Sequence, residues 1–198
     1  MSRRAVFLDR DGVLNQAIVR DGKPYPPQSL DEVAIPPDVR LALEELRAAG
    51  FLLIVLTNQP DIARGFVTRD RVDSIHRYLA AALLLDEFRV CDHDDHHQCG
   101  CRKPEPGLIL TAAQDHGIDL AASFLVGDRW RDVDAGAAAG CRTIWIDLGY
   151  RERGPSTPPS ATVHSFREAA RWILDQAPVG ACSAAGVTSR YSTEEPLT

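Results

Sequence analysis

Residues 5–13 read AVFLDRDGV: four apolar residues lead directly into two carboxylates separated by an arginine, and a glycine follows. A short continuous apolar run is typical of a strand that is buried on both faces of a parallel sheet. Gly12 permits the sharp turn that the chain needs where the strand ends. The segment therefore predicts a central strand that delivers Asp9 and Asp11 to one edge of a sheet.

The rest of the chain repeats this pattern. Three more apolar runs, at 51–56, 124–126 and 143–146, predict further buried strands. Helical spacing or capping residues predict helices at 39–46, 72–83, 108–116 and 130–139 and from Ser165 onward. Alternating strands and helices predict an α/β fold with a doubly wound, Rossmann-like parallel sheet, in which ligands bind at the carboxyl ends of the strands.

Length and interruptions of the pattern indicate the domain organisation. The chain has 198 residues, which suits one domain at 1–177. The segments 16–37 and 90–106 interrupt the alternation, and neither is long enough for a large cap domain. Small and polar residues without periodicity predict a disordered tail at 178–198.

Composition restricts the partners and the location. With 22 Lys and Arg against 28 Asp and Glu, the net charge of -6 disfavours nucleic acid. No apolar run approaches the roughly 20 residues of a membrane span, and no signal peptide is evident. We therefore expect a cytoplasmic protein that binds a small molecule rather than a membrane. We expect a monomer, with a weak homo-oligomer as the alternative.

The two carboxylates after the first strand suit phosphoryl transfer. Asp9 can attack phosphorus to give an aspartyl-phosphate, which divides one difficult displacement into two easier steps. Asp11 can protonate the leaving alcohol and later deprotonate the attacking water. The alternative for this short motif alone is an Asp-rich turn.

A second acidic motif, GDRWRD at 127–132, directly follows the strand at 124–126. Clustered carboxylates repel one another without a cation, and Mg²⁺ prefers oxygen ligands. We therefore predict magnesium held by Asp9, Asp128 and the backbone carbonyl of Asp11, with Asp132 behind them. In isolation, the motif also fits an N-capped surface helix.

Two further segments can hold a phosphate. Thr57, Asn58 and Gln59 follow the second apolar run and offer a hydroxyl, backbone N–H groups and amides, although ordinary turn chemistry explains them equally well. Lys103 can neutralise charge on phosphoryl oxygens, and Arg102 can bind a second phosphate or a sugar hydroxyl. Solvated surface charge is the alternative for this pair.

The second interruption contains two pairs of candidate zinc ligands, each pair separated by one residue: Cys91 and His93, and Cys99 and Cys101. Three sulfurs and one imidazole suit tetrahedral Zn²⁺, and four protein ligands indicate a structural site. A disulfide between Cys101 and either Cys91 or Cys99 is disfavoured in a reducing compartment. His96 and His97 are alternatives to His93 as the fourth ligand.

Taken in order, the motifs Asp-x-Asp-Gly, Thr-Asn-Gln, Arg-Lys-Pro and Gly-Asp-x-x-x-Asp resemble the haloacid dehalogenase superfamily of phosphohydrolases. The cysteine loop running into CRKPEPG at 101–107 resembles the D-glycero-D-manno-heptose 1,7-bisphosphate 7-phosphatases and the related histidinol-phosphate phosphatases. The resemblance implies catalytic roles for Asp9, Asp11, Thr57 and Lys103. It also implies that Arg102 and Arg129 contact the substrate. The chain departs from the heptose enzymes at Pro60 and in the longer segment 15–27.

The resemblance implies a magnesium-dependent phosphoric monoester hydrolase that removes the 7-phosphate of a heptose 1,7-bisphosphate, in the biosynthesis of nucleotide-activated heptose. Histidinol phosphate or another small sugar phosphate is the alternative substrate. Two non-enzymatic alternatives are a phospho-acceptor signalling domain, against which Asp11 argues, and a zinc-stabilised interaction module.

Overall fold

The computed structural model describes residues 2–176, so the tail predicted at 178–198 lies outside the described residues. The strands are β1 Arg4–Leu8, β2 Ile18–Arg20, β3 Lys23–Tyr25, β4 Phe51–Asn58, β5 Glu87–Cys91, β6 Phe124–Gly127, β7 Arg142–Ile146 and β8 Ala161–Val163. The helices are α1 Val39–Ala48, α2 Arg69–Leu83, α3 Gly107–His116, α4 Trp130–Ala139 and α5 Phe166–Gln176. The prediction of an α/β fold is confirmed.

Six strands form one parallel sheet in the order β5-β4-β1-β6-β7-β8. The chain builds the sheet from β1 outward to β5, then returns to the other side of β1 and continues to β8. The strand order therefore reverses at β1, and the crevice beside its carboxyl end is where ligands bind in sheets of this type. Asp9 and Asp11 lie at that point.

The two faces of the sheet carry separate hydrophobic cores. Val6 and Leu8 face the core formed with α1, α2 and α5, whereas Ala5 and Phe7 face the core formed with α3 and α4. All four side chains are fully buried. This two-sided burial explains why β1 is a continuous apolar run rather than an alternating one.

Three elements were not predicted. The segment 16–37 contains an antiparallel hairpin, β2–β3, whose turn at Asp21 and Gly22 has positive φ at both residues. The two edge strands β5 and β8 are half-exposed and carry polar residues, so they lack the apolar run that marks the inner strands. The sequence analysis treated residues 16–37 only as an interruption of the alternation, so it did not predict the hairpin.

Within residues 2–176, no helix has both the length and the apolar character that a membrane span requires.

Candidate active site

The predicted site residues converge at the carboxyl ends of β1, β4 and β6. Asp9 directly follows β1, Asp128 directly follows β6, and Thr57 is the second-last residue of β4. The N–H of Asp9 donates to the carbonyl of Val126 (2.9 Å), which ties the end of β1 to β6. A cavity of about 430 Å³ opens here, and seven predicted residues line it: Asp9, Asp11, Thr57, Asn58, Arg102, Lys103 and Arg129.

The centre of the site is a buried ion-pair cluster. The ammonium of Lys103, only 3% exposed, lies 2.7 Å from Asp9 and 2.6 Å from Asp132. Burial raises the pKa of Asp9 from 3.8 to about 6, although the attraction of Lys103 opposes the shift. Burial alone would lower the pKa of Lys103, but the Asp132 and Asp9 carboxylates raise it above its ordinary value. Lys103 is therefore a fixed positive charge beside Asp9.

Asp128 is the second buried carboxylate of the site. Its Oδ2 accepts a hydrogen bond from the hydroxyl of Tyr150 (2.9 Å), but its Oδ1 is buried without a partner among the described residues. Burial first, and then repulsion by Asp9 and Asp132, raises the pKa of Asp128 well above its ordinary value. A buried acceptor without a donor lowers the stability of the fold, and a bound cation would remove this cost. The geometry of Asp128 is therefore that of a metal ligand.

The donor set fits magnesium. One carboxylate oxygen each from Asp9, Asp128 and Asp132 lie within 4.8 Å of one another, and oxygen ligands are those that Mg²⁺ prefers. Gly12 keeps the approach open, because a Cβ at this position would overlap the Asp128 carboxylate, and its φ of +88° also favours glycine. Asp132, however, is already bonded to Lys103 and to the Arg129 N–H (3.1 Å).

Asp11 is held by four hydrogen bonds. Arg10 donates to both of its oxygens (3.0 and 2.8 Å), Asn15 donates to Oδ1 (3.0 Å), and Gln59 donates to Oδ2 (3.0 Å). These donors fix the orientation of the Asp11 carboxylate.

Arg10 is in turn held from α2. It is completely buried, and its Nη1 lies 2.9 Å from Nε2 of His76. Because a guanidinium can only donate, the His76 Nε2 accepts, and the neutral ring carries its proton on Nδ1. Burial, with Arg10 as the next cause, lowers the pKa of His76 from 6.5 to about 4, so the ring stays neutral at physiological pH.

The predicted phosphate-binding residues after β4 have protein partners. Asn58 lines the cavity, but its amide bonds both the carbonyl and the N–H of Lys103 (3.0 and 3.1 Å). Gln59 is buried and donates to the Thr57 hydroxyl (2.9 Å) as well as to Asp11. Asn58 thus holds the backbone that carries Lys103, and Gln59 connects Thr57 with Asp11.

The two predicted substrate-binding arginines are partly engaged. The Nε of Arg102 donates to Asp95 (2.7 Å), while its buried Nη1 has no acceptor among residues 2–176. Arg129 makes a bidentate ion pair with Glu152. Arg102 therefore retains one unused donor beside the cavity.

The four predicted zinc ligands form one cluster at the end of β5. The Cys101 Sγ lies 3.2 Å from the Cys91 Sγ, 3.3 Å from the Cys99 Sγ and 3.3 Å from the His93 Nδ1. The three cysteines are free thiols. Separations of this size suit four ligands around one tetrahedral ion, and sulfur and imidazole are the ligands of structural zinc. The Nδ1 of His97 instead accepts from the Asp94 N–H (3.0 Å).

Sequence reasoning missed Tyr150, His76 and the direct contact of Asp132 with Lys103. The Gly-Asp-x-x-x-Asp spacing indicated Asp132, which lies in the first turn of α4, but it carried no sign of the ion pair with Lys103. Tyr150 and His76 lie far from the motifs along the chain and carry no local signal.

Comparison with known proteins places this geometry among phosphatases. A family model described as HAD-hydrolase-like matches residues 100–169. The D-glycero-beta-D-manno-heptose-1,7-bisphosphate 7-phosphatase of Rhodopseudomonas palustris is 35% identical over 150 residues, covering 70% of this chain and 80% of the relative. The enzyme of the same name from Escherichia coli K12 is 34% identical over 183 residues, covering 86% and 88%.

A solved structure supports the same comparison. The crystal structure of D,D-heptose 1,7-bisphosphate phosphatase from B. bronchiseptica, complexed with magnesium and phosphate, superposes with a TM-score of 0.76. It is 30% identical in sequence, and the match covers 88% of this chain and 99% of that one.

Proposed function

The chain belongs to the haloacid dehalogenase-like hydrolases, in the family of the D-glycero-D-manno-heptose-1,7-bisphosphate 7-phosphatases, and we propose that it removes the 7-phosphate of a heptose 1,7-bisphosphate. The chain is a phosphoric monoester hydrolase. The proposed substrate is that of the two relatives described above, and the match covers four fifths or more of the length of each. The pathway that this substrate implies is nucleotide-activated heptose biosynthesis.

One observation carries the proposal. Asp9 lies in a cavity with Lys103 2.7 Å away, and it shares a buried oxygen cluster with Asp128, whose Oδ1 has no donor in the part of the chain that the structure describes. A phosphatase that forms an aspartyl-phosphate needs a carboxylate nucleophile, a fixed cation and a metal site together at one place. These three parts meet here at the carboxyl ends of β1 and β6.

In the first half of the reaction, Asp9 attacks the phosphorus of the ester. Lys103 orients the Asp9 carboxylate and offsets the negative charge that develops on the phosphoryl oxygens. Asn58 fixes the Lys103 backbone, and Asp132 fixes its ammonium. Bound magnesium, held by Asp9, Asp128 and the Asp11 carbonyl, would supply charge neutralisation and a Lewis acid. The Thr57 hydroxyl is placed to donate to a phosphoryl oxygen.

In the second half, water displaces the phosphate from Asp9. We assign Asp11 as the group that takes the proton from this water, since Arg10, Asn15 and Gln59 hold its carboxylate in a fixed position. In the first half, Asp11 gives a proton to the leaving alcohol. While Asp11 carries this proton, one of its oxygens donates instead of accepting. At least one of the four hydrogen bonds to Asp11 is therefore broken at that stage.

Zinc is proposed as a structural ion in the cysteine loop. The cluster of Cys91, His93, Cys99 and Cys101 lies immediately before Arg102 and Lys103, so an ion there would fix the loop that carries both cations. Zinc has four protein ligands in this arrangement and no position open to the substrate. A cytoplasmic location fits this proposal, because thiols remain reduced there.

Substrate specificity is tested with purified protein and magnesium. We expect the highest kcat/KM for one anomer of D-glycero-D-manno-heptose 1,7-bisphosphate, with hexose phosphates and histidinol phosphate hydrolysed far more slowly. Release of phosphate from histidinol phosphate at an equal or higher kcat/KM would contradict the proposed substrate. The absence of phosphate release from every ester, with the Asp9→Asn variant as the blank, would contradict the activity itself.

A further inference from the structure

The β2–β3 hairpin contributes to the active-site cavity. Arg20, Lys23 and Tyr25 from this hairpin line the same cavity as Asp9 and Lys103. The hairpin lies within the segment that departs from the heptose enzymes, so the family resemblance assigns it no role. Its side chains nevertheless share the space into which the remainder of a substrate must extend, beyond the phosphate at Asp9.

The hairpin carries two cationic side chains that line the cavity and have no carboxylate partner among the described residues. Every other basic side chain that lines the cavity has a carboxylate partner: Lys103 with Asp9, Arg64 with Asp94, Arg102 and Arg131 with Asp95, and Arg129 with Glu152. Within residues 2–176, neither Arg20 nor Lys23 has a carboxylate oxygen within 4.0 Å. The guanidinium of Arg20 lies over the ring of Tyr25, 5.7 Å from the ring centroid.

The register of the hairpin places these two charges opposite each other. Arg20 pairs with Lys23 across the two-residue turn, so both side chains project from the same face of the ribbon. Like charges directly opposite each other destabilise a strand pair. Both side chains are exposed, and an anion bound between them would offset the repulsion that water only screens.

The position of the hairpin is fixed by the chain that follows β7. The carbonyl of Gly22 accepts a hydrogen bond from the Arg151 N–H (2.8 Å). A Cβ at residue 22 would overlap the Arg151 side chain, and the φ of Gly22 is +76°, so only glycine permits this approach. The two cations are therefore presented from an anchored element, which reduces the entropy lost when a ligand binds.

We propose that Arg20 and Lys23 form a second anion site, which binds the phosphate group of the substrate that is not hydrolysed. The ligand class is a sugar bisphosphate, with one phosphate at Asp9 and the other at the hairpin. A cavity of about 430 Å³ has room for a sugar between two such groups. This inference rests on the proposed function and names the element that recognises the second phosphate.

The kinetic test compares two substrates that differ only in that phosphate, heptose 1,7-bisphosphate and heptose 7-phosphate. For Lys23→Gln and Arg20→Gln, we expect kcat/KM to fall about tenfold more for the bisphosphate than for the monophosphate. Lys23→Arg should restore most of the difference. Arg40→Gln, which removes an exposed charge paired with Glu44 on α1, is the matched control. An equal fall for both substrates would overturn the inference.

Lysine labelling provides a readout that does not depend on turnover. The chain contains twenty arginines and two lysines, and Lys103 is 3% exposed, so an amine-acylating reagent reports on Lys23 among the lysines. In the Asp9→Asn protein, we expect the bisphosphate to protect Lys23 at concentrations at which the monophosphate does not.

The two tests separate the inference from the proposed function. If the wild-type protein releases no phosphate from either sugar but Lys23 is protected by the bisphosphate, the activity is wrong and the anion site stands. If phosphate is released and Lys23 labels equally with and without the bisphosphate, the anion site is wrong and the activity stands.

Discussion

Replacing Asp9 by asparagine should abolish catalysis and, at the same time, stabilise the metal-free protein. Burial raises the pKa of Asp9 from 3.8 to about 6, with Lys103 only partly opposing it. A carboxyl group whose pKa is higher in the folded state contributes its full stability below pH 3.8 and loses it as the pH rises through 6. At pH 8, the ionised Asp9 therefore costs the folded state about 3 kcal/mol.

Asparagine removes this cost and keeps an acceptor for Lys103, whose ammonium also retains Asp132 at 2.6 Å. In EDTA at pH 8, we expect the free energy of unfolding of Asp9→Asn to exceed that of the wild type by up to about 3 kcal/mol. For a chain of this size, that corresponds to a rise in Tm of roughly 6 to 12 °C. At pH 4.5, where Asp9 is protonated in the folded wild type but largely ionised in the unfolded chain, the difference should fall to about 1 kcal/mol.

The assay is thermal and urea unfolding at both pH values, with and without magnesium. Asp73→Asn, at a half-exposed position on α2 away from the site, is the control for loss of one acidic charge. Magnesium should stabilise the wild type more than Asp9→Asn, because only the wild type has the complete carboxylate set. A metal-free Asp9→Asn protein that is less stable than the wild type at pH 8 would refute the electrostatic argument.

Three further changes test other parts of the site. Cys101→Ser should lower the bound zinc, measured by elemental analysis, and reduce the free energy of unfolding by more than about 2 kcal/mol; unchanged zinc content would contradict the ligand assignment. Gly12→Ala should reduce kcat by more than about 100-fold, since its Cβ overlaps the Asp128 carboxylate; wild-type turnover would contradict this. Because the pKa of His76 is lower in the folded state, the unfolded chain takes up a proton at His76 at a higher pH than the folded protein does. The free energy of unfolding of the wild type therefore falls by as much as about 3 kcal/mol as the pH decreases from 6.5 to 4. His76→Gln should lose less over that range in urea titrations, and an equal loss would contradict the role of a neutral ring beside Arg10.

The inner strands could be predicted because burial on both faces leaves a plain signal in the sequence. β1, β4, β6 and β7 all contain continuous apolar runs, and their order along the chain is enough to bring Asp9, Thr57 and Asp128 to one edge. β5 and β8 could not be predicted in this way, since edge strands mix polar and apolar residues. The hairpin had a usable signal, the Asp-Gly pair at 21–22, which is typical of a two-residue turn.

The same physical reason separates the site residues that could be predicted from those that could not. Residues that directly follow buried strands were found, because a parallel sheet collects its carboxyl ends at one edge. Residues that act through distant packing were not found: His76 contacts Arg10 from 66 positions away, and Tyr150 contacts Asp128 from 22 positions away. The predicted roles of Asn58 and Gln59 also needed the structure, since only the fold shows that their amides bond Lys103, Thr57 and Asp11.

The central claim, that Asp9 is the nucleophile, is tested most directly by trapping the intermediate. Rapidly quenched wild-type protein, mixed with heptose 1,7-bisphosphate and magnesium, is reduced with borohydride, which converts an aspartyl-phosphate to homoserine, and the peptides are analysed by mass spectrometry. We predict homoserine at position 9 and at no other aspartate, with none in the Asp9→Asn protein. Turnover in the quenched sample with an unmodified Asp9, or with homoserine at Asp11 or Asp128, would contradict the mechanism.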